Sequence, residues 1–196
     1  MDYPKEILLS QEPKVTILKN LIKTSDCKKI INKYSSKLEP SEVTDGRDGK
    51  ISKSRSSSSV FINDDIKILN QLRNMLCKLN AWNIEKTEKF QFVKYEVGQK
   101  YEAHYDAFDV SKKQPSSRNV QRLITNIIYL DDQFEGGETV FPSLNIAVRA
   151  EAGMVLAFEN CIPGSFYLNP FSLHQANPIR KGEKHILTLW LTEDII

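Results

Sequence analysis

The sequence is short of cysteine, of histidine and of any charge bias. Its three cysteines, Cys27, Cys77 and Cys161, lie far apart and form no Cys-x-x-Cys pair. An odd, scattered set supplies neither a disulfide framework nor a structural zinc site, and fits reduced thiols in a cytosol-like compartment. Lys+Arg 27 against Asp+Glu 25 leaves a net charge of +2, too mild to argue for nucleic acid or anionic lipid. No apolar run reaches transmembrane length: Ile186–Leu191 is broken by Thr188 and is the size of a strand. Met1 to Glu6 show no basic flank followed by an apolar stretch, the pattern of a secretory signal. The expectation is a cytoplasmic or otherwise soluble intracellular protein with no nucleic-acid or membrane partner.

What is present is an ordinary folding unit. At 196 residues, 40% hydrophobic and 27% charged, the chain has the size of one domain and enough apolar material for a real core. The first third reads as partly helical. After a strand-like run at Val15–Leu18, Thr24 or Ser25 is placed to cap a helix carrying Cys27, Ile30, Ile31, Tyr34 and Leu38. Ser41–Ser59 reads as a loop. A second helix is expected from Asp64 to Asn80, with Ile68, Leu69, Leu72, Met75, Leu76 and Leu79 as one stripe. From Phe90 onward, strands recur at short intervals between Gly, Pro, Asn and Asp, and a second polar loop spans Asp109–Asn119. That pattern predicts a β-sandwich or barrel supported by the N-terminal helices.

Three histidines can be weighed one by one. His104 and Asp106 stand two apart, so in extended chain both side chains point the same way and can reach one metal ion. Alone, His-x-Asp is commonly a surface pair. His174 lies in a later predicted strand, where a lone histidine is more often a satisfied core residue. Together they form the two-imidazole, one-carboxylate set that binds one face of non-haem Fe(II). In the last strand, alternation puts Lys184, Ile186, Thr188, Trp190 and Thr192 on one face. His185, Leu187, Leu189 and Leu191 take the other, helix-packed face, so His185 is set aside as a ligand. A buried ammonium at Lys184 is costly without an anion, although a lysine at a strand mouth can also snorkel to water. Lys184 follows His174 across a turn at Pro178–Glu183, which predicts neighbouring strands and a cation beyond the metal. Such an arrangement suits a chelating diacid.

The segment Tyr95-Glu96-Val97-Gly98-Gln99-Lys100-Tyr101-Glu102-Ala103-His104-Tyr105-Asp106 resembles the first metal motif of prolyl 4-hydroxylases, Fe(II)- and 2-oxoglutarate-dependent dioxygenases. So do Arg122 to Leu130, Gly136-Gly137-Glu138-Thr139-Val140-Phe141-Pro142, and His174 to Lys184 followed by Trp190. Upstream, Ser54-Arg55-Ser56-Ser57-Ser58 is similar to that family's Ser-Arg-Thr-Ser-Ser segment. The matches run in order along essentially the whole chain.

The resemblance implies an α+β, mainly β fold, a double-stranded β-helix (jelly roll) with supporting N-terminal helices. It implies one domain over 1–196, with 1–88 mostly helical support and peptide-side loops and 89–196 the jelly-roll core. His104, Asp106 and His174 would be the iron ligands and catalytic centre. Lys184 would pair with the distal carboxylate of 2-oxoglutarate, with Tyr95 and Thr139 hydrogen-bonding it. Arg122, Tyr101 and Trp190 would face a peptide, though core packing explains Trp190 equally well. The two polar loops become candidate lids. The implied reaction hydroxylates C4 of a peptidyl proline, in a collagen-like or proline-rich chain, using O2 and 2-oxoglutarate and releasing succinate and CO2. Ascorbate is the implied reductant. Monomer and homodimer stay open.

The sequence departs from the pattern in two places: Ala103 stands where many relatives have proline, and Thr192 where several have histidine. Three rivals remain at this point: a zinc hydrolase, a catalytically dead module of the same fold, and an oxygenase acting on another protein side chain.

Overall fold

The computed structural model describes residues 5–44, 49–51, 54–63, 65–110 and 119–195. In chain order the elements are β1 (Lys5–Gln11), β2 (Lys14–Lys19), α1 (Thr24–Tyr34), β3 (Glu39–Pro40), β4 (Glu42–Thr44), β5 (Gly49–Ile51), β6 (Ser58–Ile62) and α2 (Lys67–Leu79). There follow β7 (Phe90–Tyr95), β8 (Tyr101–His104), β9 (Val120–Tyr129), β10 (Glu135–Gly136), β11 (Thr139–Phe141) and β12 (Ile146–Val148). The last are β13 (Val155–Glu159), β14 (His174–Ala176), β15 (Ile179–Lys181) and β16 (Lys184–Asp194). Among the described residues no helix is long and apolar enough to cross a membrane.

Two antiparallel sheets face each other. The larger runs β1-β2-β13-β9-β16-β7-β6-β3 and the smaller β12-β11-β14-β8, which is the jelly roll expected from the strand spacing. Strict alternation on the central strand β16 explains the layering. Leu187, Leu189 and Leu191 pack under α1 and α2 with Ile30, Leu69, Leu72 and Leu76. Ile186, one residue out of phase, joins Val93, Tyr129, Phe141, Leu156 and Phe158 between the sheets. Each such fully buried side chain contributes roughly 1.5–3 kcal/mol of burial free energy. One face of the large sheet is thereby sealed by helices, and the other is left to build a site against the small sheet.

Several expectations need correcting. The residue at the α1 N-terminus is Lys23 and no side chain caps it, so neither Thr24 nor Ser25 does that work. Ser41–Ser59 is not one loop: β4 pairs with β5, and β6 joins the large sheet beside β7. Low strand propensity was overridden there by pairing partners. On α2, Met75 and Leu79 are exposed, and Cys77 is buried beside Leu76. Finally, β14 and β16 are not adjacent. They lie in opposite sheets, separated by β15, which pairs with β10. Of the two candidate lids, residues 45–48, 52–53 and 111–118 lie outside the described residues, as does Asp64 at the expected start of the second helix.

Candidate active site

The smaller sheet brings the first three residues together. β14 pairs with β8 so that His174 stands directly opposite His104. Asp106 follows two positions beyond His104, and one ligand atom from each of the three lies within 4.8 Å of the others. The two imidazoles are oriented alike: His104 Nδ1 bonds the Glu102 carbonyl at 2.8 Å and His174 Nδ1 the Ser172 carbonyl at 3.0 Å. A carbonyl only accepts, so Nδ1 carries the proton and Nε2 presents a lone pair. Both Nε2 atoms turn to Asp106, at 3.7 Å from Oδ1 and 3.8 Å from Oδ2. Those distances are too long for hydrogen bonds and match donors grouped around a shared ion.

Electrostatics agree with that arrangement. Burial, then the facing His174, pushes the His104 pKa down to about 3 despite Asp106, which leaves its ring neutral and able to ligate at neutral pH. Burial alone would raise the Asp106 carboxyl, but His174, His104 and Arg122 outweigh it and hold it below the usual carboxylate range. His174 is held by ring contacts, edge-on to Phe158 at 4.7 Å and tilted to Phe141 at 5.7 Å. Tyr101 stacks on His104 at 3.5 Å, and the Arg55 guanidinium covers Tyr101 at 4.9 Å.

The larger sheet supplies what orients these groups. Trp190 and Thr125 are cross-strand partners on β16 and β9. Both donate to Asp106 Oδ2, from Trp190 Nε1 at 3.0 Å and Thr125 Oγ1 at 2.7 Å. Thr125 Oγ1 in turn accepts from Asn160 Nδ2 at 2.8 Å. Trp190 is buried, and the Arg122 guanidinium lies over its ring at 3.7 Å. Its structural work is therefore as a donor to Asp106, which the sequence reading did not assign. Arg122 is itself gripped by Glu88, with Nε to Oε1 at 2.6 Å and Nη2 to Oε2 at 2.9 Å. The pattern of partners around a ligating group typically controls metal affinity by 10–100-fold. Thr125→Val and Trp190→Phe are each expected to weaken metal binding by about tenfold with the fold intact, measured by competition titration against a chelator. Unchanged affinity would show that the backbone alone orients Asp106.

Lys184 does not snorkel. It is 1% exposed, and its Nζ donates to the Gly137 carbonyl at 2.6 Å. Gly137 has φ +67°, a left-handed backbone that favours glycine, and a Cβ there would stand 2.4 Å from Ile179 Cδ1 and force that side chain to move. Among the described residues no carboxylate lies within ion-pair distance of the ammonium. Burial lowers its pKa to about 8, against the pull of Asp131 and Glu138. Tyr95 is its cross-strand partner on β7, and the ammonium sits 5.5 Å from the Tyr95 ring and 5.4 Å from the Tyr129 ring. Thr139, on the opposite sheet, shares a 2.7 Å hydrogen bond with the Tyr129 hydroxyl. Tyr129 was missed in the sequence, although it shares the inward phase of Thr125 and Ile127 on β9. His185 is not among the ligands: it lies on the outer side of β16, stacked on Phe92 at 5.9 Å.

One sheet of the jelly roll thus carries a His-Asp-His cluster and the other a buried ammonium that, among the described residues, has no carboxylate partner. The family model described as "2OG-Fe(II) oxygenase superfamily" matches residues 90–192. The chain belongs to that superfamily. This oxygenase is 33% identical over 180 residues to a "putative prolyl 4-hydroxylase" of Acanthamoeba polyphaga mimivirus, covering 90% of this chain and 73% of that protein. It is 31% identical over 207 residues to "probable prolyl 4-hydroxylase 10" of Arabidopsis thaliana, with 94% and 70% covered. The fold matches a solved viral collagen prolyl hydroxylase of Paramecium Bursaria Chlorella virus-1 in a 2OG complex. The TM-score is 0.74 and the identity 24%, with 91% of this chain and 95% of that one covered. As a member of the superfamily this oxygenase is an Fe(II)- and 2-oxoglutarate-dependent dioxygenase that consumes O2, and its donor set is chemically suited to that metal.

Proposed function

We propose that this dioxygenase is a prolyl 4-hydroxylase that hydroxylates C4 of proline in a peptide or protein chain. The observation that carries the reaction class is the pairing of the His104, Asp106 and His174 donors with the buried ammonium of Lys184. The substrate class is supported by the prolyl 4-hydroxylase motifs and by the relatives that share them. When bound, Fe(II) with 2-oxoglutarate supplies the oxidising chemistry, in which O2 is consumed, succinate and CO2 are released and one oxygen atom reaches the substrate carbon.

In this reading His104, Asp106 and His174 hold the metal on one face. Lys184 receives the distal carboxylate of 2-oxoglutarate, with Tyr95 and Thr139 offering hydroxyl donors. The enclosing core excludes water, which strengthens that ion pair. Trp190 and Thr125 keep Asp106 in its ligating orientation. Tyr101 and the Glu88-braced Arg122 form the peptide side. The catalytic unit is one domain over 1–196, its N-terminal third serving as support, and ascorbate is the reductant that maintains the ferrous state.

A zinc hydrolase would need a general base beside the metal. The buried Lys184 is a cation held among tyrosines, which suits a diacid. The test is tandem mass spectrometry of proline-rich and collagen-like peptides incubated with the protein, Fe(II) and 2-oxoglutarate. The expected result is a gain of one oxygen on proline, dependent on Fe(II) and abolished when Zn(II) replaces it. Oxygen on another side chain would identify a different protein hydroxylase, and peptide cleavage with Zn(II) a hydrolase.

A further inference from the structure

The outer side of β16 carries a half-buried arrangement that the catalytic reading does not use. Asp131, just beyond β9, is bound to His185 twice. Its Oδ1 accepts from the His185 backbone N–H at 2.9 Å and its Oδ2 meets His185 Nδ1 at 2.5 Å. A carboxylate only accepts, so Nδ1 carries the proton. The Leu130 N–H adds a third bond, to the His185 carbonyl at 2.9 Å. The β9–β16 ladder is formed from Ile186 opposite Tyr129 onward. At His185, on the β9 side of β16, the Asp131 carboxylate and the Leu130 amide therefore extend it by one residue. The residue pinned this way is the neighbour of Lys184.

We propose that Asp131 is the positioning residue for Lys184: it clamps the start of β16 through His185, and its negative charge balances the buried ammonium until a diacid arrives. The inference rests on the reading of Lys184 as the partner of 2-oxoglutarate. The surroundings favour this division of labour. Towards the pocket Lys184 meets Tyr95 from β7 and Tyr129 from β9, and burial pushes both phenols up, so they stay neutral. Glu138, beside β11, is the second carboxylate that favours the ammonium, and its carboxyl accepts from Asn177 Nδ2 at 3.1 Å. On the outer side, Lys94 of β7 is taken up by Glu96 at 2.9 Å and Glu183 at 2.8 Å. Glu183 Oε2 lies 4.0 Å from His185 Nε2. Of the two carboxylates that favour the ammonium, Asp131 has the larger pull, and its oxygens are held by His185, on the outer side of β16.

Lys184 binds a carboxylate as the ammonium, and its pKa of about 8 sets where that form is lost. Calorimetric titration of 2-oxoglutarate into Mn(II)-loaded protein, from about pH 6 to about pH 9.5, reads this directly. Wild-type affinity is expected to be flat below about pH 8 and to fall about tenfold per unit above it. Asp131→Asn moves the onset about one unit lower while leaving affinity at about pH 6 within roughly threefold. His185→Gln keeps the carboxylate and loses the ring bond, so it weakens binding at every pH without moving the onset. Lys184→Arg, always protonated, removes the fall above pH 8 and makes binding indifferent to the Asp131 charge. Asp131→Thr, which keeps an acceptor and drops the charge, serves if the Asn variant does not fold. A D131N profile that superimposes on wild type, or that is lowered equally at every pH, overturns the proposal. Wild-type protein that fails to bind 2-oxoglutarate overturns the underlying site reading instead.

Discussion

His174→Ala removes 2-oxoglutarate-dependent turnover by a factor on the order of 10³ or more, about 4 kcal/mol of transition-state stabilisation. The size follows from geometry. His174 stands opposite His104 across the β14–β8 pair, and its Nε2 faces Asp106 at 3.8 Å, so it contributes one of three donors. Loss of one donor leaves two, one of them on the loop after β8, and metal residence falls with it. The ring also packs against Phe158 and Phe141, and truncation leaves a hole that costs stability in its own right. Two readouts separate these effects. Metal content and 2-oxoglutarate consumption report the ligand, whereas thermal unfolding reports the cavity. His174→Gln, which fills more of the space, is expected to recover stability and not turnover. Normal turnover in either folded variant would refute the ligand assignment.

How far the sequence could be read follows from the range of each interaction. Alternation is local, so β16 could be divided correctly into a pocket face and a helix face, and the i, i+2 relation of His104 and Asp106 needed no tertiary knowledge. The pairing of strands is not local. His174 and Lys184 are ten positions apart in the chain and were expected on neighbouring strands, but β14 and β16 lie in different sheets, with β15 between them paired to β10. Asp131 and Asp132 looked like turn punctuation, yet Asp131 reaches His185, 54 positions on. Thr125 could have been found: it shares the inward phase of Ile127 and Tyr129, and a lone hydroxyl there asks for a partner. Glu88 carried no such signal, since nothing around it in sequence announces the arginine 34 positions later that it holds. The segment 41–59 was misread on composition, because serines poor in strand propensity still pair when β7 offers an edge.

Lys184→Met separates binding from stability, and the two are expected to move in opposite directions. Lys184 is 1% exposed, and its ammonium donates to the Gly137 carbonyl. Its pKa in the folded chain is about 8 against 10.5 in the free side chain. Between those values the unfolded chain binds more protons than the folded one. Stability therefore rises with pH across that window, and below about pH 8 the full burial cost is felt, on the order of 3 kcal/mol. Methionine removes that cost and orphans the Gly137 carbonyl, which returns about 1 kcal/mol or somewhat more. A net rise in Tm of a few °C at neutral pH follows, together with loss of the stability increase above pH 8. Function goes the other way. A buried charge-assisted contact to the distal carboxylate is lost, worth about 3 kcal/mol, so the 2-oxoglutarate requirement rises on the order of 10²-fold. Metal affinity is expected to be unchanged, because Lys184 lies outside the cluster of His104, Asp106 and His174. A chain that keeps its unfolding temperature and its affinity for 2-oxoglutarate after this substitution would require another residue to receive the diacid. Arg55 and Arg122 are poor candidates, since Ser57, Gln91 and Glu88 already engage their guanidinium groups.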